Sequence, residues 1–118
     1  MEPPAAPSID GYLLKLKHHK PRFSSAWVRR YFKTRTKADG SCDLVYADSP
    51  SHAIKKSISL ASVTSVVLFD ELSFQINLRH TSFLLRCESA AQLACWVPTL
   101  QHYLREWSSY AVAQNAVH

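Results

Sequence analysis

The sequence predicts a mainly β fold: seven short strands arranged as an antiparallel sandwich or barrel, followed by one amphipathic helix. Two observations carry that prediction. Seven segments alternate apolar and polar residues, or are rich in β-branched ones, and turn residues separate them. After Cys87 the apolar spacing changes to that of a helix. With 118 residues, 47% hydrophobic and 19% charged, the chain suits one domain built on one core.

Residues 1–8, MEPPAAPS, are rich in proline and alanine and are expected to form a disordered leader. With Met1 ahead of it, that leader is expected to begin a longer parent protein. The fold is expected over residues 9–108. Asp10 to Lys17 reads as the first strand, with Leu13, Lys15 and Lys17 on one face and Tyr12, Leu14 and Leu16 on the other. Ala26 to Thr34 reads as the second, with Val28, Arg30 and Phe32 sharing a face. Asp39-Gly40 is a hairpin signal leading into a third strand, Cys42 to Tyr46. Asp48-Ser49-Pro50-Ser51 breaks that strand. The fourth, Ile54 to Leu60, places Ile54, Lys56, Ile58 and Leu60 on one face. Val63 to Phe69, Ser73 to Leu78 and Thr81 to Cys87 complete the set.

Ser89 and Gln92 then have capping-box spacing. Leu93, Trp96, Val97, Leu100, Leu104 and Trp107 follow as one apolar helical stripe, read as core packing. Pro98 lies inside this helix, where the expectation is either a bend or a helix that tolerates it because Trp96 and Leu100 anchor both sides. Residues 109–118 are expected to fray or to act as a linker.

Charge is distributed unevenly. Gly11 to Ala38 holds nine of the fourteen Lys and Arg residues and none of the nine acids, so a net charge of +5 divides into +9 there and −4 elsewhere. One sign gathered on one hairpin steers anions toward it. Lys17, Lys20, Arg22 and Phe23 fall in or beside the loop between the first two strands, where an aromatic among cations fits an interfacial anchor. His18 and His19 have no partners at metal-ligand spacing. The three cysteines form no C-x-x-C pair, which argues against a zinc site or disulfide framework and favours a reducing, cytoplasmic setting. No cofactor is expected. The sequence has neither a nucleophile elbow nor a phosphate loop, so a non-catalytic binding module is expected. Nucleic acid is not an expected partner, because stacking aromatics are not interleaved with the basic residues as in a recognised module.

Gly11-Tyr12-Leu13-Leu14-Lys15, Trp27-Val28-Arg29-Arg30-Tyr31-Phe32, Leu44-x-Tyr46, Ile58-x-Leu60 and Trp96, in that order, resemble the pleckstrin homology (PH) domain family from about Ile9 to Trp107. The resemblance implies a partly open barrel of two orthogonal sheets, capped at one end by the helix. Many members bind phosphoinositide headgroups at the other end, with a Lys on strand one and Lys/Arg-x-Arg on strand two. Lys15 and Arg30 match the first and last of those positions, whereas Val28 stands where the family has the middle cation. Tyr46 matches a strand-three tyrosine that contacts phosphate, and Lys55 falls near a basic position in strand four.

These readings together imply a module that binds phosphoinositide or other anionic lipid through Lys15, Arg30, Tyr46 and Lys55. Lys17, Lys20, Arg22 and Phe23 would lie on the surrounding membrane surface. Such a module recruits a larger signalling or trafficking protein to the cytosolic face of a membrane. The alternative is a protein-interaction module binding a peptide or small GTPase, favoured by Val28 and by the length of the first loop.

Overall fold

A computed structural model describes residues 2–17 and 26–115. Seven strands, β1 (Asp10–Leu16), β2 (Trp27–Thr36), β3 (Cys42–Ala47), β4 (Lys56–Ser59), β5 (Val63–Leu68), β6 (Ser73–Leu78) and β7 (Ser82–Arg86), precede a helix, α1 (Ala90–Asn115). They form one antiparallel sheet in the order β4-β3-β2-β1-β7-β6-β5. Its outermost strands, β4 and β5, are not bonded to each other, so the barrel is partly open. Between them, a 3-10 turn at Leu60–Ser62 buries Leu60. The β6 segment predicted from SFQINL matches its observed bounds.

The inward faces of the strands supply Leu13, Phe32, Leu44, Ile76 and Leu85, each at most 1% exposed, and α1 adds Trp96 and Leu100. Alternation in the strands and helical spacing in α1 therefore feed the same core. The predicted cap is present in modified form. The Gln92 amide donates to Ser89 Oγ at 3.1 Å, while Gln92 Oε1 accepts the backbone amide of Glu88 at 2.7 Å, one residue before Ser89.

Three expectations change. The expected fourth strand loses both ends: ladder pairing begins at Lys56, and Leu60 turns into the 3-10 segment to reach the core. The helix runs past residue 109 to Asn115, because Trp107 stacks between Tyr103 and Tyr110, with centroids 6.1 and 5.3 Å away. Pro98 is accommodated within it on an exposed face, where Ala94, whose carbonyl loses its amide donor, is also exposed. Near the N-terminus, the Pro7 carbonyl accepts the Thr34 hydroxyl at 2.8 Å, and Ala6 and Ile9 pack against the core. The end of the predicted leader is thus laid along β2.

Candidate functional site

The alternation that buries Leu13 also turns Lys15, two residues on, into the mouth of the barrel. Lys15 is 9% exposed and sits opposite Val28 on β2 and Leu85 on β7. Its ammonium lies 5.6 Å from the centroid of the Phe83 ring and 5.9 Å from that of Tyr46. Burial, with Lys56 and then Arg30 adding like charge, holds its pKa below the ordinary 10.5. Among the described residues no carboxylate pairs with it, and an anion entering the mouth would supply its counter-charge.

Arg30, opposite Leu13, reaches the same mouth from β2. Its Nη1 donates to its neighbour's carbonyl, Arg29 O, at 3.0 Å, and its Nε lies 3.4 Å from Asp48 Oδ1. Lys55 Nζ reaches that same oxygen at 3.3 Å. The Lys55 backbone amide donates to Tyr46 O at 2.8 Å, which fixes it beside the end of β3. Tyr46 itself packs on Phe32 with centroids 5.1 Å apart, and burial raises its hydroxyl pKa while Arg30 opposes the rise. The structure therefore brings Lys15, Arg30 and Tyr46 together at the mouth, with Lys55 joined to Arg30 through Asp48. Lys17, whose amide donates to Ala26 O at 2.8 Å, closes the base of the β1–β2 connection. Lys20, Arg22 and Phe23, the other membrane-surface candidates, lie outside the described residues, as do His18 and His19.

Three participants were missing from the predicted set. Lys56 pairs with Tyr46 across β3 and β4, and its ammonium lies 5.0 Å from the Phe83 centroid, close to Lys15. Its signal was in the sequence, since it shares the face of buried Ile58. Phe83 forms the apolar floor under both ammonium groups. Asp48, read from sequence only as part of a strand break, ties two cations together.

A separate concavity of about 600 Å³ lies between β5 and α1, lined by Val66, Gln101, Leu104 and Arg105 among others. Among its described lining residues Arg105 alone is ionisable, and the edge carbonyl of Val66 already accepts Gln101 Nε2 at 2.8 Å. Convergent charge makes the mouth the better candidate.

The sequence matches the PH domain family over residues 7–105. The fold is similar to the PH domain of human TBC1 domain family member 2, with a TM-score of 0.69, 20% identity, and 92% of this chain and 90% of that chain covered. The C-terminal PH domain of human pleckstrin superposes with a TM-score of 0.63 at 22% identity, covering 85% of this chain and 81% of that chain. The N-terminal PH domain of human ARAP2 gives 0.62 at 20% identity, covering 83% and 79%. Comparison with curated proteins finds no match. A matched family spanning most of the chain, the seven-stranded sheet and the C-terminal helix agree: the chain belongs to the PH domain family, whose members are commonly non-catalytic modules that bind lipid or protein.

Proposed function

We propose that this domain binds phosphorylated inositol lipids at the mouth of its barrel and thereby holds a larger signalling or trafficking protein at the cytosolic face of a membrane. The observation that carries the reading is the convergence of Lys15, Arg30 and Lys56 from three strands on one opening, with Lys15 largely buried. Burying an ammonium without a counter-ion is unfavourable, so its retention is best explained by an anion that occupies the site in use. Arg30 supplies a bidentate donor and the lysines supply point charges, a combination suited to phosphate oxygens. Lys17, Lys20 and Arg22 add attraction to the surrounding anionic surface, which weakens as salt screens it, and Phe23 adds an apolar anchor at the interface.

The test is binding to liposomes that contain single phosphoinositides, beside phosphatidylserine liposomes of matched charge, for the wild type and Lys15→Ala/Arg30→Ala. Selective binding that the double variant loses supports the reading. Equal binding to every anionic liposome, fading with salt, replaces it with a nonspecific basic patch. Absence of binding overturns it and turns the search to a peptide or small GTPase partner, in keeping with Val28.

A further inference from the structure

The cations of the mouth fall into two pairs that differ in one respect. Lys15 and Lys56 stand over the Phe83 ring, 5.6 and 5.0 Å from its centroid, and among the described residues neither enters an ion pair with a carboxylate. Arg30 and Lys55 are both held on Asp48 Oδ1, at 3.4 and 3.3 Å. One carboxylate therefore already engages two of the cations on which a second phosphate would draw. Resting on the headgroup-binding reading above, we propose that Asp48 sets the selectivity of the mouth. It matches the mouth to an inositol headgroup with one phosphate monoester beside free hydroxyls, and it turns away headgroups with two or three.

Charge supports the assignment. Four cations less one carboxylate leave the described mouth at +3. A phosphate monoester carries about −1.5 to −2 at neutral pH, so with its single-charge diester link a singly phosphorylated headgroup brings about −2.5 to −3. That balances the mouth. A second monoester takes the ligand to about −4 to −5 and sets phosphate against the Asp48 carboxylate, a like-charge contact that costs affinity.

Hydrogen bonding points the same way. A carboxylate offers about four lone-pair sites and no donor, so Asp48 retains capacity for a sugar hydroxyl but repels phosphate oxygens. A phosphate over Lys15 and Lys56 with a neighbouring hydroxyl on Asp48 uses every group as it stands. Val28 fits this arrangement, since the β2 position facing Lys15 adds no further cation. The discrimination comes from a repulsive element against the wrong ligand as much as from attraction to the right one.

Removing the charge while keeping the shape provides the test. Wild-type and Asp48→Asn proteins are titrated with liposomes bearing phosphoinositides with one, two or three monoesters. In parallel, calorimetry uses water-soluble inositol phosphates of the same series, which separates a membrane-held headgroup from the free phosphate. The wild type should bind the singly phosphorylated lipid most tightly. Asp48→Asn should tighten binding to the doubly phosphorylated one by about tenfold, and Asp48→Glu should restore the wild-type order. Asp48 is 43% exposed, so the fold should tolerate the change, and unchanged thermal unfolding confirms it, with Asp48→Ser as a second variant. The same reversal with soluble ligands supports selection by the headgroup alone; a reversal confined to liposomes supports selection of the membrane-held form. Binding that depends on Lys15 but has the same order in wild type and Asp48→Asn overturns this proposal and leaves the headgroup reading standing. Binding by neither protein overturns both.

Discussion

Lys15 places its ammonium 5.6 Å from the centroid of the Phe83 ring, on a side chain only 9% exposed. The two residues lie on adjacent strands, β1 and β7, with Phe83 two residues from Leu85, the register partner of Lys15, and an aromatic face compensates a desolvated cation only in part. Among the described residues the site thus holds a charge that no carboxylate pairs with.

Lys15→Met should therefore stabilise the free protein and, if the mouth binds lipid as proposed, abolish that binding. The folded-state pKa of Lys15 lies below its ordinary value, so its cost is present in full when both states are protonated. The cost is relieved as pH rises from the lowered pKa toward 10.5. Replacement by an apolar side chain of similar length removes it, so the Tm should rise by a few degrees. Thermal unfolding at pH 7 measures the gain. A lowered Tm would mean that the ring contacts outweigh the desolvation.

Gln92 joins the helix start to the sheet. Its Nε2 donates to Tyr12 O at 2.9 Å while its Oε1 accepts from Glu88 N, so one side chain satisfies groups on two elements. A Cβ added at Gly11 would come within 3.2 Å of that Nε2 and push it aside. Gln92→Ala should cost ~1–2 kcal/mol in urea denaturation, and Gly11→Ala should lose part of the same interaction. A double-mutant cycle should accordingly show the two changes to be less than additive. Full additivity would place the Gly11 effect elsewhere.

High pH should weaken the fold through two buried acids. Burial pushes the Cys87 thiol up to about 11 and the Tyr103 hydroxyl up to about 12, from 9.0 and 10.0. Above pH 9 the unfolded chain releases protons that the folded protein retains, so stability falls as pH rises, with Lys15 acting in the opposite sense. The Tyr103 hydroxyl makes no hydrogen bond of good geometry, although the Cys42 amide lies nearby. Tyr103→Phe should consequently raise stability at pH 7 by ~1 kcal/mol and flatten the loss above pH 10. Urea midpoints measured from pH 7 to 11 check both parts.

Much of this architecture was legible because it repeats. Leu13, Phe32, Leu44 and Ile76 announce buried faces by alternation, and Trp96 and Leu100 do so by helical spacing. What escaped depended on three-dimensional proximity. Asp48 follows a strand in sequence and has the composition of a turn, yet it faces Arg30 from β2, eighteen residues earlier in the chain. The persistence of α1 to Asn115 rests on Trp107 meeting Tyr103 and Tyr110, whereas the apolar stripe read from the sequence ends at Trp107. Lys55 drew attention through the family pattern, but it lies just ahead of β4, whereas Lys56 opens the strand on the face of buried Ile58.

That one-residue difference yields a direct comparison. Both lysines are exposed, but Lys56 stands over Phe83 beside Lys15, whereas Lys55 is already paired with Asp48. If the mouth binds phosphate, Lys56→Ala should weaken headgroup binding by about tenfold or more, as loss of a charge-assisted contact of ~1.5–3 kcal/mol requires. Lys55→Ala removes a cation but also frees Asp48 toward Arg30, so its effect should be about threefold or less, as expected for a pair near the surface. Because the two variants have the same net charge, a nonspecific basic patch would lose equal affinity in both. Liposome titration at two salt concentrations distinguishes the cases: a Lys56 effect that survives high salt, alongside a Lys55 effect that vanishes, places the phosphate within the mouth, and equal losses place it on the surface.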